Sequence, residues 1–402
     1  MDFSYTSEQQ MLRNCVREFA DAELAPHSAA WDDGQDVPRE TLRRLGRQGY
    51  LGAIFPESLG GAGMNYIDYC ILIEELSRVD GAIGLIVAAH TSLCANHIFL
   101  IGSTSQRETY LPRLASGDAI GCWCLSEPDA GSDAASLQTT AQRTRDGWTL
   151  NGVKTFATNA HIADVYVIMA ATAARGARHR ISAFIVERGA DRLRLGRKEQ
   201  KMGLRASTTG QVLFDACALP SGQLLGAENA GFADCMRVLD GGRVSIAALS
   251  IGMAQGAYEA ALRYAKTRKQ FGQPIAEFQM IQHKLADMAV SLDAARLLTQ
   301  RAAWLIDHKQ DATQASATAK LFSSEVAVQI ANDALQIHGG YGYLKDYGVE
   351  KIYRDVRLCT LGEGTSEIQR LVIARRILAA GPERSTRTDL PATCRNLAHA
   401  NH

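Results

Sequence analysis

Gly117-Asp118-Ala119-Ile120-Gly121-Cys122-Trp123-Cys124-Leu125-Ser126-Glu127-Pro128 is the stretch at which the periodicity of the chain changes. Upstream of it, apolar residues recur at three and four positions, as in Met11, Leu12, Cys15, Val16, Phe19 and Ala20. Thr6-Ser7-Glu8-Gln9 just before them has capping-box spacing, so an amphipathic helix is predicted that ends before Pro26. The same spacing runs through 40–49, 66–78, 83–101 and 106–115, which makes residues 1–118 a helical unit.

Downstream of Gly117-Asp118 the segments are short and rich in Thr, Val, Ile and aromatics. Strands are predicted at 119–125, 136–144, 148–157, 164–171, 181–187 and 211–217, with hairpin turns at Asp146-Gly147 and Asn151-Gly152. Residues 119–228 therefore read as an all-β unit. No strand is followed by GxGxxG and strands do not alternate with helices, which excludes a Rossmann domain. From Gly231 long helical runs return at 232–270, 277–307, 312–338 and 366–379, with small residues such as Gly252, Ala254, Gly256 and Ala257 on their faces. That pattern predicts a helix bundle over 229–380, and no repeat of fixed period suggests a solenoid. Residues 381–402 lose the pattern and are expected to be a mobile tail. The fold class is α+β, in the order helical, β, helical.

The 402 residues carry 43 basic and 43 acidic side chains, and 46% of them are hydrophobic, enough for more than one packed core. Balanced charge excludes the broad cationic face of a nucleic-acid or anionic-membrane binder. The longest apolar runs fall short of the ~20 residues that span a bilayer, so no membrane insertion is expected. The polar, acidic start Met1 to Gln10 predicts no signal or transit peptide. Nine cysteines without paired CxxC spacing read as reduced cytoplasmic thiols and imply no metal site. The zero net charge hides a split. Residues 1–150 hold 11 basic and 20 acidic side chains and no lysine, whereas 151–402 hold 32 and 23. Basic runs at 192–205 and 263–269 leave room for local phosphate recognition.

Three segments have the composition of a site. In Leu361-Gly362-Glu363-Gly364-Thr365-Ser366-Glu367-Ile368-Gln369-Arg370, Ser366 and Gln369 have capping-box spacing, so Glu363 sits just ahead of a helix. Its flanking glycines let a ligand approach the backbone, although a carboxylate complementing the helix dipole fits the same pattern. Leu125-Ser126-Glu127-Pro128-Asp129-Ala130-Gly131-Ser132-Asp133 forms a turn whose N–H groups and Ser132 hydroxyl suit an anion, or an ordinary capped turn. Arg268-Lys269-Gln270-Phe271-Gly272, at the end of a long helix, pairs a cation with an aromatic, and a solvated helix end is the alternative. Gln336-Ile337-His338-Gly339-Gly340 is a glycine-rich helix exit, with His338 read as a packed or capping residue. Trp123 and Phe156 lie on strands, where aromatics usually belong to the core.

Together these segments, with Lys154-Thr155-Phe156-Ala157-Thr158-Asn159-Ala160, resemble the acyl-CoA dehydrogenase family, and within it the short-chain, butyryl-type members. The resemblance implies an N-terminal helical domain, a central β-barrel, a C-terminal four-helix bundle and a homotetramer. It implies FAD as cofactor, an acyl-CoA substrate of fatty-acid β-oxidation and an electron-transfer flavoprotein as partner. By motif, Glu363 would remove the α-proton of the thioester while the β-hydrogen leaves as hydride to flavin N5. Trp123, Leu125, Ser126, Ser132, Phe156, Thr158, Thr365 and Glu367 fall on FAD positions. Arg268, Phe271, Gln336 and Gly340 match residues that reach the FAD of a neighbouring subunit. Ser132, Arg243, Gly362 and Gly364 fall on the substrate side, Arg243 near the CoA. Phe156 stands where many members have Trp, and Gly362 where many have Tyr, which opens the question of acyl size. Gly242 occupies the position at which isovaleryl-type members carry the base. Alternatives on the same fold are an oxidase or flavin monooxygenase, a dehydrogenase of carrier-protein thioesters, and a non-catalytic nucleic-acid-associated member.

Overall fold

The computed structural model describes residues 4–379, apart from 175, 176, 178 and 179. The expected tail 381–402 lies outside the described residues. The N-terminal unit contains α1 (Ser7–Glu23), α2 (Ser28–Gly34), α3 (Arg39–Arg47), α4 (Tyr66–Val79), α5 (Gly81–Ala88), α6 (Asn96–Ile101) and α7 (Thr104–Ala115). Helix α1 starts at the expected capping box: Gln9 N–H donates to Thr6 Oγ1 at 3.2 Å, and Gln9 Oε1 accepts from Thr6 N–H at 3.1 Å. Between α5 and α6 the chain is a π-helix, Ala89–Ala95, so one helical run continues from Gly81 to Ile101. By length and composition that run would cross a membrane, yet nearly all of it is buried in the protein. It is a core helix.

The central unit is one sheet of β1 (Gly121–Cys124), β2 (Thr140–Arg143), β3 (Gly147–Thr158), β4 (Val165–Ala171), β5 (Ile181–Glu187), β6 (Leu193–Lys198), β7 (Thr209–Pro220) and β8 (Leu224–Leu225). Its order is β6-β7-β3-β2-β4-β5-β8, with β1 parallel to β4. Strand β4 is buried on both faces, as its unbroken apolar run requires. Tyr166, Ile168 and Ala170 face the core inside the sheet with Trp148 and Phe184. Val165, Val167 and Met169 face Ile98, Leu111 and Leu114 of the helical unit. This alternation fixes the sheet against the first unit.

Three details differ from the sequence reading. Asn151-Gly152 is not a hairpin turn but an irregularity inside β3, where the register with β7 shifts and Asn151 Oδ1 accepts from Ala216 N–H at 2.7 Å. The cationic run 192–205 contains β6, an edge strand whose charged residues conceal its alternation. The helix predicted to 270 ends at Thr267. Lys269–Gln270 and Gln273–Pro274 instead pair across a tight turn in which Phe271 and Gly272 have φ of 51° and 84°.

The C-terminal unit comprises α8 (Gly231–Thr267), β9 (Lys269–Gln270), β10 (Gln273–Pro274), α9 (Gln279–Asp307), α10 (Thr313–His338), α11 (Val349–Val356) and α12 (Ser366–Ala379). Helix α10 packs on α8, α9 and α12, forming the four-helix bundle, and α4 packs on α8. Buried charges join all three units: Lys351 Nζ lies 2.7 Å from Asp355 and 3.3 Å from Asp80, while Arg354 reaches Asp32 at 2.8 Å. Asp355 also accepts the N–H of Leu204 from the loop after β6.

Candidate active site

Glu363 lies in the short link between the turn Arg357–Thr360 and α12, with φ of 52°, followed by Gly364 at 89°. Two consecutive residues in the left-handed region need support, because a side chain there is strained. Gln369 Nε2 donates to Glu363 O at 3.1 Å and to Gly364 O at 3.0 Å, and Lys320 Nζ donates to Gly364 O at 2.6 Å. A Cβ on Gly364 would meet that Gln369 amide at 2.7 Å. The expected capping box is therefore not formed. Thr365 Oγ1 accepts from Ile368 N–H at 3.3 Å and caps α12, while the Gln369 side chain serves the turn instead.

The turn aims the Glu363 side chain at α8. A Cβ added to Gly242 would sit 2.3 Å from Glu363 Oε2 and 2.7 Å from Leu93 Cδ2, so the glycine makes room for the carboxyl group. Oε2 is shut away from solvent and has no hydrogen-bond partner among the described residues. Burial pushes the Glu363 carboxyl up to about 7, against the pull of Lys320 and Arg243. Arg243 is itself buried, pairs with Asp240 at 2.7 Å and lies near enough to Glu363 to favour its charged form. Ala89, Leu93, Val238 and Leu239 form an apolar cluster with the partly buried Trp123 packed against it. Leu93 lies on the π-helical segment, and such bulges recur at functional sites. A Cβ at Gly362 would meet Leu358 first, at an ordinary contact distance of 3.6–3.8 Å, so a side chain there would not clash at its root.

Trp123 lies on β1, and Leu125 and Ser126, just after it, meet β3 at Lys154 and Thr155, next to Phe156 and Thr158. Trp123 Nε1 donates to His97 Nδ1 at 3.0 Å, and burial lowers His97 to about 3, keeping it a neutral acceptor. The turn after Leu125 is bolted to β3: Lys154 Nζ donates to Leu125 O at 3.1 Å and Glu127 Oε1 at 2.6 Å, and Thr155 N–H donates to Ser126 O at 2.9 Å. Phe156 then projects at φ 53° with 68% of its surface exposed, a poor place for a core aromatic and a good one to cover a flat ring. Ser132 is exposed on the same turn, Thr365 is half-buried at the start of α12, and Glu367 is exposed.

Arg268, Phe271, Gln336 and Gly340 do not join this group. Arg268 and Gly340 line a separate open cleft of about 380 Å³ at the far ends of α8 and α10. The Arg268 guanidinium stands 5.2 Å over the Tyr341 ring, Phe271 is 94% exposed, and Gln336 is exposed on the last turn of α10. His338 is packed, stacked on Tyr264 at 4.3 Å with Nδ1 2.8 Å from Ala334 O. Among the described residues, no three His, Cys, Asp or Glu side chains are grouped to hold a metal.

Sequence reasoning gave no role to Lys320, His97 or the Lys154–Glu127 pair, and gave Gln369 only that of a cap. A signal for Lys320 was present: Ser316, Ala317, Ser323 and Ser324 flank it at helical spacing, and all are buried small residues.

Family models match nearly the whole chain: acyl-CoA dehydrogenase N-terminal domain at 6–118, middle domain at 122–217 and C-terminal domain at 229–378. The chain belongs to the acyl-CoA dehydrogenase family and is an oxidoreductase of that flavin-dependent class. It is 46% identical over 379 residues to the probable acyl-CoA dehydrogenase YngJ of Bacillus subtilis, covering 94% of this chain and 100% of that one. Butyryl-CoA dehydrogenase from Megasphaera elsdenii superposes with a TM-score of 0.92 at 38% identity, covering 94% and 100% of the two chains. A chain solved in work on the electron transferring flavoprotein of Acidaminococcus fermentans and flavin-based electron bifurcation gives 0.93 at 42% identity, with the same coverage.

Proposed function

We propose that this protein converts short- to medium-chain acyl-CoA thioesters to trans-2-enoyl-CoA with FAD as cofactor, passing the electrons to an electron-transfer flavoprotein. The observation that carries the proposal is the Glu363 carboxyl: its Oε2 is shut away from solvent and unpartnered among the described residues, and desolvation brings its pKa up to about 7. A general base needs a pKa close to working pH, and burial against apolar side chains supplies it here. FAD fits the residues present, because Phe156, exposed on β3 two residues before Thr158, offers a planar ring a surface that is open among the described residues. When bound, the flavin supplies at N5 the acceptor for the β-hydrogen as hydride.

The chain's own residues do the rest. Glu363 takes the α-proton onto its carboxylate, and its backbone N–H is the donor for the thioester oxygen. Leu93, Val238 and Leu239 keep water from the carboxylate, and the space at Gly362 lies next to the acyl α-carbon. Ser126, Ser132, Thr158, Thr365 and Glu367 offer polar groups to the cofactor. The separate position of Arg268, Phe271, Gln336 and Gly340 supports a homotetramer in which they serve the cofactor of a second copy. The similarity to butyryl-CoA dehydrogenase supports the short acyl chain, and the similarity to the Acidaminococcus fermentans chain supports the electron-transfer partner.

The test is anaerobic mixing of the FAD-loaded protein with butyryl-CoA, followed by reoxidation. Bleaching of the flavin, slow recovery in air and fast recovery with electron-transfer flavoprotein are expected. No bleaching by any member of an acyl-CoA series would refute the activity, and recovery in air as fast as with the partner protein would make it an oxidase.

A further inference from the structure

The catalytic turn has a support that neither the motifs nor the family match assigns. Lys320 sits on α10, fully buried, and its ammonium donates to the carbonyl of Gly364, the residue after the proposed base. It does not pair with the carboxylate: Glu363 Oε2 remains without a partner among the described residues. A lysine on a buried helix face carries a large desolvation cost, and apolar residues of similar length would fill the space without it. The geometry points to Lys320 as a positioning residue that, with Gln369, holds the left-handed Glu363-Gly364 turn while lending the carboxylate a positive neighbour at one remove.

This inference rests on the reading of Glu363 as the base. The charged and titratable groups facing the turn are Lys320 from α10, Arg243 from α8 with Asp240 behind it, Tyr69 from α4 and Cys359 from the preceding turn. Glu325, one turn along α10, is engaged by Arg370. Lys320 and Arg243 are thus the two cations opposing burial at Glu363. Burial also lowers Lys320 to about 8, so it is largely charged at neutral pH.

A base works ionised, so bleaching by substrate rises with pH through its pKa. Removing a positive neighbour raises that pKa and carries the limb upward. In FAD-loaded Lys320→Met, the limb of anaerobic flavin bleaching by butyryl-CoA should move up by about one pH unit, the low end of what an opposite charge contributes. The bleaching rate should also fall at every pH, and Lys320→Arg should return the limb toward its original position. Gln369→Leu removes the neutral half of the clamp, so it should slow bleaching without moving the limb. A Lys320→Met protein with the wild-type limb overturns the inference. If that variant does not fold, a wild-type bleaching rate in Gln369→Leu overturns the clamp on its own. Loss of bleaching in Glu363→Gln is a separate result: were it absent, the assignment of the base would fail rather than the role of Lys320.

Discussion

Two buried lysine–glutamate neighbourhoods, one in the sheet and one in the bundle, show what separates a structural carboxylate from a reactive one. At Glu127, burial opposes ionisation, but Lys154 and the N–H groups of Gln138 and Thr139 outweigh it and hold the carboxyl below its ordinary value. At Glu363, burial prevails, because Lys320 spends its hydrogen bond on a backbone carbonyl and Oε2 receives none. The first arrangement satisfies a charge and fixes the turn 125–127. The second leaves a lone pair free at the price of stability, which is where chemistry is to be expected.

The comparison can be broken at the glycine that leaves the lone pair room. Gly242→Ala places a methyl group on the Glu363 carboxylate, and the displaced base should bleach flavin about a hundredfold more slowly. The flavin content of this variant should stay unchanged, and an unaltered bleaching rate would show that the carboxylate does not work from this position. Glu127→Gln, by contrast, leaves the ammonium of Lys154 buried without a counter-charge. A loss of about 3 kcal/mol is expected, read as a clear fall in melting temperature. Equal melting of variant and parent would mean that the pair is not the bolt it looks like.

The smallest effect has the opposite sign. Glu363 binds its proton more tightly folded than unfolded, so native stability falls as pH rises from about 4.5 towards 7. At pH 8, Glu363→Gln removes an anion whose Oε2 is desolvated and unpartnered among the described residues, and should raise the melting temperature, by roughly 1–3 kcal/mol of stability. That gain should vanish near pH 4, where the parent carboxyl is protonated in both states. Lower stability in Glu363→Gln at pH 8 would contradict the contrast drawn here.

The change of period at Gly117 was legible because it is a property of side-chain spacing, and the long helices α9, α10 and α12 begin within about two residues of where that spacing puts them. Errors fell where the backbone does something spacing cannot report. Asn151-Gly152 has the composition of a turn but lies in a strand held by β7, and the helical reading ran to Gln270 although the chain has already turned back there. At the site, Glu363 was legible through its glycines and the helix after it. For Lys320 the small flanking residues could signal burial but not its role, since its partner is a main-chain carbonyl 44 positions away. Nor was the role of Gln369 legible, since its spacing from Ser366 suggested a cap that Thr365 provides instead.

The central claim is that the withheld lone pair of Glu363 takes the α-proton. The direct measurement is the anaerobic rate of flavin bleaching by butyryl-CoA in Glu363→Gln against the parent, with both proteins fully loaded with FAD. The amide has nearly the same shape but cannot accept the proton, so a loss on the order of 10²–10⁴ or more is predicted, with the flavin still bound. Bleaching at close to the parent rate would contradict the account.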